Sequence, residues 1–356
     1  MKSFEPAYLA SLAVSHRAIR TVAALTEYRG KQKLWAEAKR EVLEHLLKVA
    51  MIESVESSSR LEQIVVGNHT LDRLLVNDEA PAAENRSQAE LAGYRDAIKL
   101  IHENATDMPI TEGIVRQLHS QLMKYTPAGG GNYKFAPNDI VEKSPDGRIL
   151  RVRFRTVQPI AVETYMAGLH EGYRTALEEG EIEPLILVPL YVHDLLCIHP
   201  FSDGNGRIAR LMSVLLLRKL GYDVGRYISL ERIIEESKVT YYSSLGLSDV
   251  GWYEGRHDHA PFTEYMLGVA LSAYRELEAN TSLDFSHGAK KVIAEEAIEA
   301  LPITFRFADV AAKAPLIKES TIKATLKKMR EDGRIVSEGR GRGAYWRKVG
   351  PTSSTS

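Results

Sequence analysis

The run EPLILVPLYVHDLLCI, residues 183–198, is almost wholly apolar. A helix without a polar face must be buried on all sides, so this run predicts a central core helix. Pro184 suits the first turn of such a helix, whereas Pro189 should kink it. The run GRIARLMSVLLLRKLGY, residues 206–222, predicts a second buried helix with Gly221 as its C-cap.

The N-terminal third of the chain reads as helices. Apolar residues recur at three- and four-residue intervals, most clearly over residues 34–52. The serines of ESSSRLEQ, residues 56–63, predict the start of a new helix. Another helix should begin near Thr111, which is followed by Glu112.

Residues 138–158 break the helical pattern. Two strand-like runs flank Ser144-Pro145-Asp146-Gly147, which is a turn signal. Apolar and basic residues alternate from Leu150 to Arg155, as in a half-exposed strand. We therefore expect one β-hairpin in an otherwise helical protein.

Composition limits the functional classes. The chain has 356 residues, 44% of them hydrophobic and 26% charged, with a net charge of -1, as in a soluble protein of two or three domains. The single cysteine, Cys197, excludes an internal disulfide framework and a multi-cysteine metal site. No apolar run reaches the ~18 residues of a membrane helix, and the start lacks a signal pattern. We predict a cytoplasmic protein without a membrane partner.

Between the two apolar runs lies HPFSDGNGRIAR, residues 199–210. Gly204 and Gly206 leave room for a ligand, and their N–H groups, with that of Asn205, lie where a helix begins and anions bind. Arg207 and Arg210, three residues apart, share a helix face, and arginine can grip phosphate oxygens through paired hydrogen bonds.

The remaining polar residues of this loop suggest a reaction. Asp203 would repel a phosphate unless it held Mg²⁺. His199, which we expect to titrate near neutrality, can take a proton from an attacking hydroxyl. Phe201 should anchor the loop in the core. A solvated turn beside an exposed arginine pair is the simpler alternative, but the apolar flanks favour transfer of a nucleotide phosphoryl group to a hydroxyl.

The loop also resembles a known family. Its residues fit the Fic-domain pattern His-x-Phe-x-Asp/Glu-Gly-Asn-Gly-Arg-x-x-Arg at every specified position. The resemblance extends over roughly residues 50–275. It implies a mostly α Fic fold, a helical bundle whose hairpin at 138–158 is a flap that docks protein targets. We predict an N-terminal helical region at 1–105 with an inhibitory helix near 57–66, a Fic catalytic core at 106–280, a linker at 281–288, a winged helix-turn-helix domain at 289–349 and a disordered tail at 350–356.

Fic enzymes mostly transfer AMP from ATP to a Ser, Thr or Tyr hydroxyl of a protein. The resemblance implies that His199 is the base and Asp203 the Mg²⁺ ligand. It further implies that Arg207 and Arg210 hold the β and γ phosphates, that the Gly204–Gly206 segment cradles the phosphates, and that Tyr242 lines the adenine pocket.

Three alternatives stay open at this point. A Doc-like kinase has Lys where this chain has Gly206, which favours AMP transfer. Transfer of another phosphate-containing group, such as phosphocholine, is disfavoured only because it is rarer among Fic enzymes than AMP transfer. A transcriptional regulator could use the core to sense nucleotide without transferring anything. The oligomeric state is also open, with a homodimer as one alternative.

A second motif resembles an inhibitory element of one Fic class, Ser/Thr-x-x-x-Glu-Gly/Asn. Ser58 and Glu62 fit, but Gln63 replaces the usual Gly or Asn. In the family this glutamate pairs with the second motif arginine, here Arg210, and prevents productive γ-phosphate binding. Some members also use it to remove AMP again. A surface glutamate on a serine-capped helix is the simpler alternative.

Two further features lie outside this loop. His193 and Cys197 should be ordinary core residues. Residues 320–349 have nine Lys or Arg and three acids, which is typical of a DNA-binding recognition helix and wing. Winged helices also dock proteins, so a DNA partner and a protein partner are both open.

Overall fold

The structure, a computed structural model, describes residues 2–64, 74, 85–144, 146, 148–282, 287–314, 317–338 and 345–349. It is mostly helical, as predicted. The chain divides into two compact units, one of residues 1–38 and 47–277 and the other of residues 39–46 and 278–356. The predicted tail at 350–356 lies outside the described residues. Across those described ranges, no helix is both long and apolar enough to cross a membrane.

The helices up to residue 282 follow the predicted pattern. They are α1 Pro6–Ala10, α2 His16–Ala38, α3 Arg40–Leu61, α4 Arg86–Asn104, α5 Glu112–Leu122, α6 Val162–Glu179, α7 Pro184–Ile198, α8 Asn205–Lys219, α9 Leu230–Glu236, α10 Lys238–Ser248 and α11 Ala260–Ser282. Short 3₁₀ turns lie at Lys2–Phe4, Pro159–Ala161 and Val224–Arg226.

The core of the first unit is built around α7. Every residue of this helix from Leu185 to Ile198 is buried, which confirms the central core helix. It packs against α6 and α8, and α8 is also largely buried. Gly221 ends α8 with a φ of 83°, and the Tyr222 N–H donates to the Leu217 carbonyl at 2.9 Å, so the predicted C-cap is confirmed. Thr111 caps α5 by accepting from the Ile114 N–H.

The serine cluster corrects one prediction. It does not start a new helix, because α3 runs unbroken from Arg40 through the serines to Leu61. The hydroxyls find partners other than a helix end: Ser59 donates to the Val55 carbonyl at 2.8 Å, and Ser58 accepts from Arg210 at 3.0 Å. The helix ends at Leu61, just before Glu62. Residues 65–66 of the predicted inhibitory helix lie outside the described residues.

The predicted hairpin is present. Strand β1, Ile140–Lys143, pairs antiparallel with β2, Ile149–Phe154, although Pro145 and Gly147 of the predicted turn lie outside the described residues. Strand β2 is more exposed to solvent than the alternation of apolar and basic residues predicted, since Ile149, Leu150 and Val152 are all exposed. A two-stranded ribbon has little to cover its faces, so apolar side chains on both sides meet solvent.

The second unit has its own apolar core. Its elements are α12 His287–Glu299, β3 Thr304–Phe305, α13 Phe307–Lys313, α14 Glu319–Glu331, β4 Ile335–Glu338 and β5 Tyr345–Lys348, with strand order β3-β5-β4. Helices and a hairpin therefore occur where the sequence predicts them, and the winged-helix assignment stays a prediction. The lysines of α14 are partly neutralised, since Lys323 pairs with Glu319 and Lys328 with Asp332. The DNA partner also stays a prediction.

The predicted linker at 281–288 overlaps the helices on either side of it. Helix α11 continues through Ser282 and α12 begins at His287, while the intervening residues 283–286 lie outside the described residues. The Thr281 hydroxyl donates to the Glu278 carbonyl at 3.1 Å.

Candidate active site

The loop between α7 and α8 is held in one shape by its own side chains. Asn205 accepts from the Phe201 N–H at 2.9 Å and donates to the Phe201 carbonyl at 2.7 Å. Phe201 is fully buried and stacks on His119 with ring centroids 3.7 Å apart, which confirms it as the anchor. The Asn205 side chain therefore ties the loop, while its backbone N–H lies in the first turn of α8.

The loop leaves α7 through His199, whose φ of 52° is in the left-handed region. A left-handed conformation is strained in a residue other than glycine, and such strained residues are often found at functional sites. Nδ1 of His199 lies 3.2 Å from the Leu196 carbonyl, and since a carbonyl only accepts, Nδ1 carries the proton. Nε2 is then unprotonated and can accept one.

The charge state of His199 differs from the prediction. Burial, together with the nearby Lys134 cation, lowers its pKa to about 4, so it does not titrate near neutrality. The physical reason is that the imidazole has lost much of its water, which disfavours the charged form. At pH 7 the ring is neutral, which is the form a proton acceptor needs.

His199 opens onto a cavity of about 350 Å³. Among its lining residues are the predicted His199, Asp203, Gly204, Asn205, Gly206, Arg210, Tyr242 and Glu62. Buried Tyr241 and half-exposed Tyr242 form an aromatic wall, with ring centroids 5.1 Å apart. The structure therefore brings nearly all of the sequence-predicted residues around one space.

The N-terminus of α8 forms one side of this cavity. Gly204 precedes the helix with a φ of 78°, and an added Cβ would lie 2.8 Å from the Met123 side chain. The first N–H groups of a helix have no partner within it, and the helix dipole makes this end positive. The predicted anion cradle thus faces the same space as His199.

Arg210 lies at this cradle and is already occupied. It donates to the Ser58 hydroxyl at 3.0 Å, to the Ser58 carbonyl at 3.1 Å and to Glu62 Oε1 at 2.7 Å. The carboxylate of Glu62 also lies against the helix N-terminus, since a Cβ on Gly206 would come 2.6 Å from Oε1. Glu62 therefore stands where an anionic phosphate would bind.

Gln63 shows why its position usually holds Gly or Asn. It follows Glu62 at the end of α3 with a φ of 63°, a left-handed conformation that disfavours most side chains. The Ile64 N–H then donates to the Ser59 carbonyl at 2.9 Å and closes the helix. The departure from the motif thus places a strained residue next to Glu62.

Arg207 is placed differently from Arg210. Its guanidinium is 2% exposed and donates to the buried Glu90 at 2.7 Å, and Arg207 is not among the described residues that line the cavity. Glu90 also accepts from Arg86, which in turn donates to Asp203 at 3.2 Å. The buried Arg207 Nε has no hydrogen-bond partner among the described residues.

Three supporting residues escaped the sequence analysis. Glu90 lies in an ordinary helical pattern, and nothing in it signals a partner. His119 accepts from the Gly131 N–H and faces the Asp203 carbonyl at 3.1 Å, so it holds the loop tip. Lys134 is 3% exposed and donates to Asn138 at 2.7 Å, and burial lowers its pKa to about 8. The sequence feature that could have indicated a buried Lys134 is its position between two aromatic residues, Tyr133 and Phe135.

Comparison with known proteins identifies the family. The Fic/DOC family model matches residues 109–217. A Fido domain-containing protein of Dictyostelium discoideum is 30% identical over 125 residues, which cover 35% of this chain and 82% of that protein. The chain belongs to the Fic/DOC family.

Other relatives extend the comparison of this Fic/DOC protein. Protein adenylyltransferase fic-1 of Caenorhabditis elegans is 27% identical over 145 residues, which cover 36% of this chain and 27% of that enzyme. The solved structure of a Fic family protein from Desulfovibrio desulfuricans G20 superposes with a TM-score of 0.62 at 21% sequence identity. The superposition covers 95% of this chain and 98% of that protein's chain. The mostly helical Fic fold is therefore established.

Proposed function

We propose that this Fic/DOC protein transfers AMP from ATP to a Ser, Thr or Tyr hydroxyl of a protein, and that Glu62 restrains it. The observation that carries this proposal is the neutral His199, with Nε2 unprotonated, on the same cavity as the α8 N-terminus and Arg210. Relatives named protein adenylyltransferases support it. Gly206 supports it against a Doc-like kinase, which has Lys there.

The residues divide the work as follows. The N–H groups of the Gly204–Gly206 segment and the Arg210 guanidinium hold the phosphates, while Tyr242 lies beside the base. Arg207 lies behind the cavity wall, where it pairs with the buried Glu90. The target hydroxyl oxygen forms a bond to the α-phosphorus, and the bond from that phosphorus to the β-phosphate's bridging oxygen breaks, releasing pyrophosphate. The hydroxyl proton goes to His199 Nε2. Positioning and charge stabilisation supply most of the catalysis.

Asp203 fits a magnesium ligand. Its carboxylate is 57% exposed at the cavity, and Mg²⁺ favours one or two carboxylates together with waters and substrate phosphates. When bound, Mg²⁺ would neutralise charge on the phosphate oxygens. Arg86 and Arg207 flank the carboxylate at 3.2 and 3.6 Å and keep it oriented.

Labelled ATP tests this function. Wild type and Glu62→Gly, each with Mg²⁺, should incorporate label from the α-phosphate of ATP into protein, and none from the γ-phosphate. Label from the γ-phosphate would instead show a kinase. ATP binding by both proteins without any incorporation would favour the nucleotide-sensing regulator. The His199→Ala variant provides the background level.

The pKa of His199 predicts the pH profile. Since the neutral ring is the base and its pKa is about 4, activity should be lost only as pH falls through that value. We expect kcat/KM to show no histidine inflection between roughly pH 8 and pH 5.5. Circular dichroism over this range checks that the protein stays folded. An inflection near the ordinary value of 6.5 would show that the cavity does not desolvate His199.

Gln63 predicts incomplete inhibition. Glycine there removes a left-handed strain of about 1 kcal/mol, so Gln63→Gly should hold Glu62 more firmly and lower basal self-modification up to roughly fivefold. Gln63→Ala keeps the strain and serves as the control, with a rate close to wild type. Initial rates of self-modification measure both. A glycine variant at least as active as wild type would contradict the link between Gln63 and inhibition.

The hairpin is the proposed docking surface for the protein target. An extended segment can add to the open edge of β2, which places its hydroxyl near His199 through backbone pairing alone. Consecutive N–H groups in a strand point to opposite edges, so Leu150→Pro and Arg151→Pro should differ in their effects. The variant that blocks the open edge should lower transfer to protein without changing the Kd for ATP. If the Kd rises as well, the hairpin serves the structure and not the target.

A further inference from the structure

Three side chains with metal-binding atoms meet behind the active site. His193 and Cys197, one turn apart on α7, are buried, and Asp249, which follows α10, is 10% exposed. Nε2 of His193 lies 3.2 Å from Asp249 Oδ1, and Cys197 Sγ lies 3.7 Å from that nitrogen and 3.8 Å from that oxygen. The sequence predicts only core packing for His193 and Cys197, and the proposed transfer uses none of the three.

The triangle matches a tetrahedral zinc site. Zinc bonds of about 2.0–2.3 Å to N, O and S place neighbouring ligand atoms roughly 3.3–3.6 Å apart. The three separations of 3.2, 3.7 and 3.8 Å fall within about 0.2 Å of this range. An ion can therefore contact all three atoms after only small side-chain adjustments.

The surroundings supply a second shell. Arg153 lies 3.4 Å from Asp249 Oδ2, the carboxylate oxygen that does not face His193, and so leaves Oδ1 for an ion. Ligating carboxylates in metalloproteins are commonly held in this way by a second hydrogen bond.

The charge balance also favours a cation. The charged groups acting on the Cys197 thiol are Asp249, Asp194 and Arg153. Fully buried Asp194 is bonded by neutral donors, the Ser3 hydroxyl at 2.6 Å and the Trp252 indole. A divalent ion bound to a Cys197 thiolate would add one positive charge and offset Asp194.

We propose that His193, Cys197 and Asp249 bind one Zn²⁺ ion, with water as its fourth ligand. Their mixed nitrogen, sulfur and oxygen donors suit zinc and not the magnesium proposed at Asp203. The ion would join α7, which is followed directly by His199, to Asp249 at the end of α10, the helix that contains Tyr242. The site would thus stabilise both walls of the cavity, and it does not depend on the transfer reaction.

Cobalt substitution tests the site in the intact 356-residue chain. After removal of metal with EDTA, one equivalent of Co²⁺ should give the visible bands of tetrahedral cobalt and a near-ultraviolet sulfur-to-cobalt charge-transfer band. Because Cys197 is the sole cysteine of the chain, a charge-transfer band can come from no other residue. Zn²⁺ should displace the cobalt, abolish the bands and raise the Tm.

Matched variants separate this site from others. Cys197→Ser should lose the charge-transfer band, Asp249→Asn should bind Co²⁺ more weakly, and Asp203→Ala should keep all bands. Thermal unfolding without metal checks that the variants are folded. The proposal is overturned if the wild type shows no charge-transfer band, or if Zn²⁺ raises the Tm of wild type and Cys197→Ser equally.

Discussion

Replacing His199 by alanine is expected to lower AMP transfer roughly 10²- to 10⁴-fold while ATP still binds. The imidazole supplies a proton acceptor at Nε2, and the phosphate-binding groups belong to α8 and Arg210, so its removal should affect kcat and not the Kd for ATP. Single-turnover transfer and equilibrium ATP binding measure the two effects separately.

The variant should be made in the Glu62→Gly background, where activity is high enough to measure a large loss. His119→Asn is a useful comparison, because His119 supports the loop tip without facing the reacting atoms. It should impair ATP binding and transfer together. A His199→Ala protein that transfers AMP at the parental rate would remove His199 from its assigned role.

Replacing Glu62 by glycine is expected to raise AMP transfer, visible first as self-modification. The lost contact is a charge-assisted hydrogen bond of 2.7 Å to a buried guanidinium. Such bonds contribute about 1.5–3 kcal/mol, which corresponds to a gain of roughly 10- to 150-fold. Under the proposed inhibition, the strain at Gln63 weakens the contact between Glu62 and Arg210, so we expect the gain to fall in the lower part of that range.

Two further variants show whether the gain acts through Arg210. Glu62→Gln keeps the shape but loses the charge and should give a smaller gain than glycine. The Glu62→Gly, Arg210→Ala double variant should show no gain over Arg210→Ala, because no phosphate clamp remains to be released. If wild type and Glu62→Gly transfer AMP equally, Glu62 is an ordinary surface residue.

The sequence predicts the arrangement of this loop where the interactions are local. Most of the residues singled out in the 199–210 loop line one cavity, and the apolar runs beside the loop predict the helices that hold it. The contact between Glu62 and Arg210 spans 148 positions of chain and was predictable only from the resemblance to a family. The pairing of Glu90 with Arg207 had no such guide, because an acid in a helical pattern does not reveal its partner.

The pKa of His199 illustrates a second limit. Its value depends on how much water surrounds the ring and on the position of Lys134, which are properties of packing and not of residue type. The left-handed conformation of Gln63 likewise cannot be predicted from its residue type. The motif departure marked the position, but only the backbone angle explains why glycine or asparagine is usual there.

The close approach of Gly206 to Glu62 couples two positions of the cavity that are far apart in the chain. Any side chain at 206 would meet the carboxylate of Glu62 and force this flexible side chain to shift. A substitution at 206 can therefore weaken the contact between Glu62 and Arg210 while leaving both of those residues unchanged.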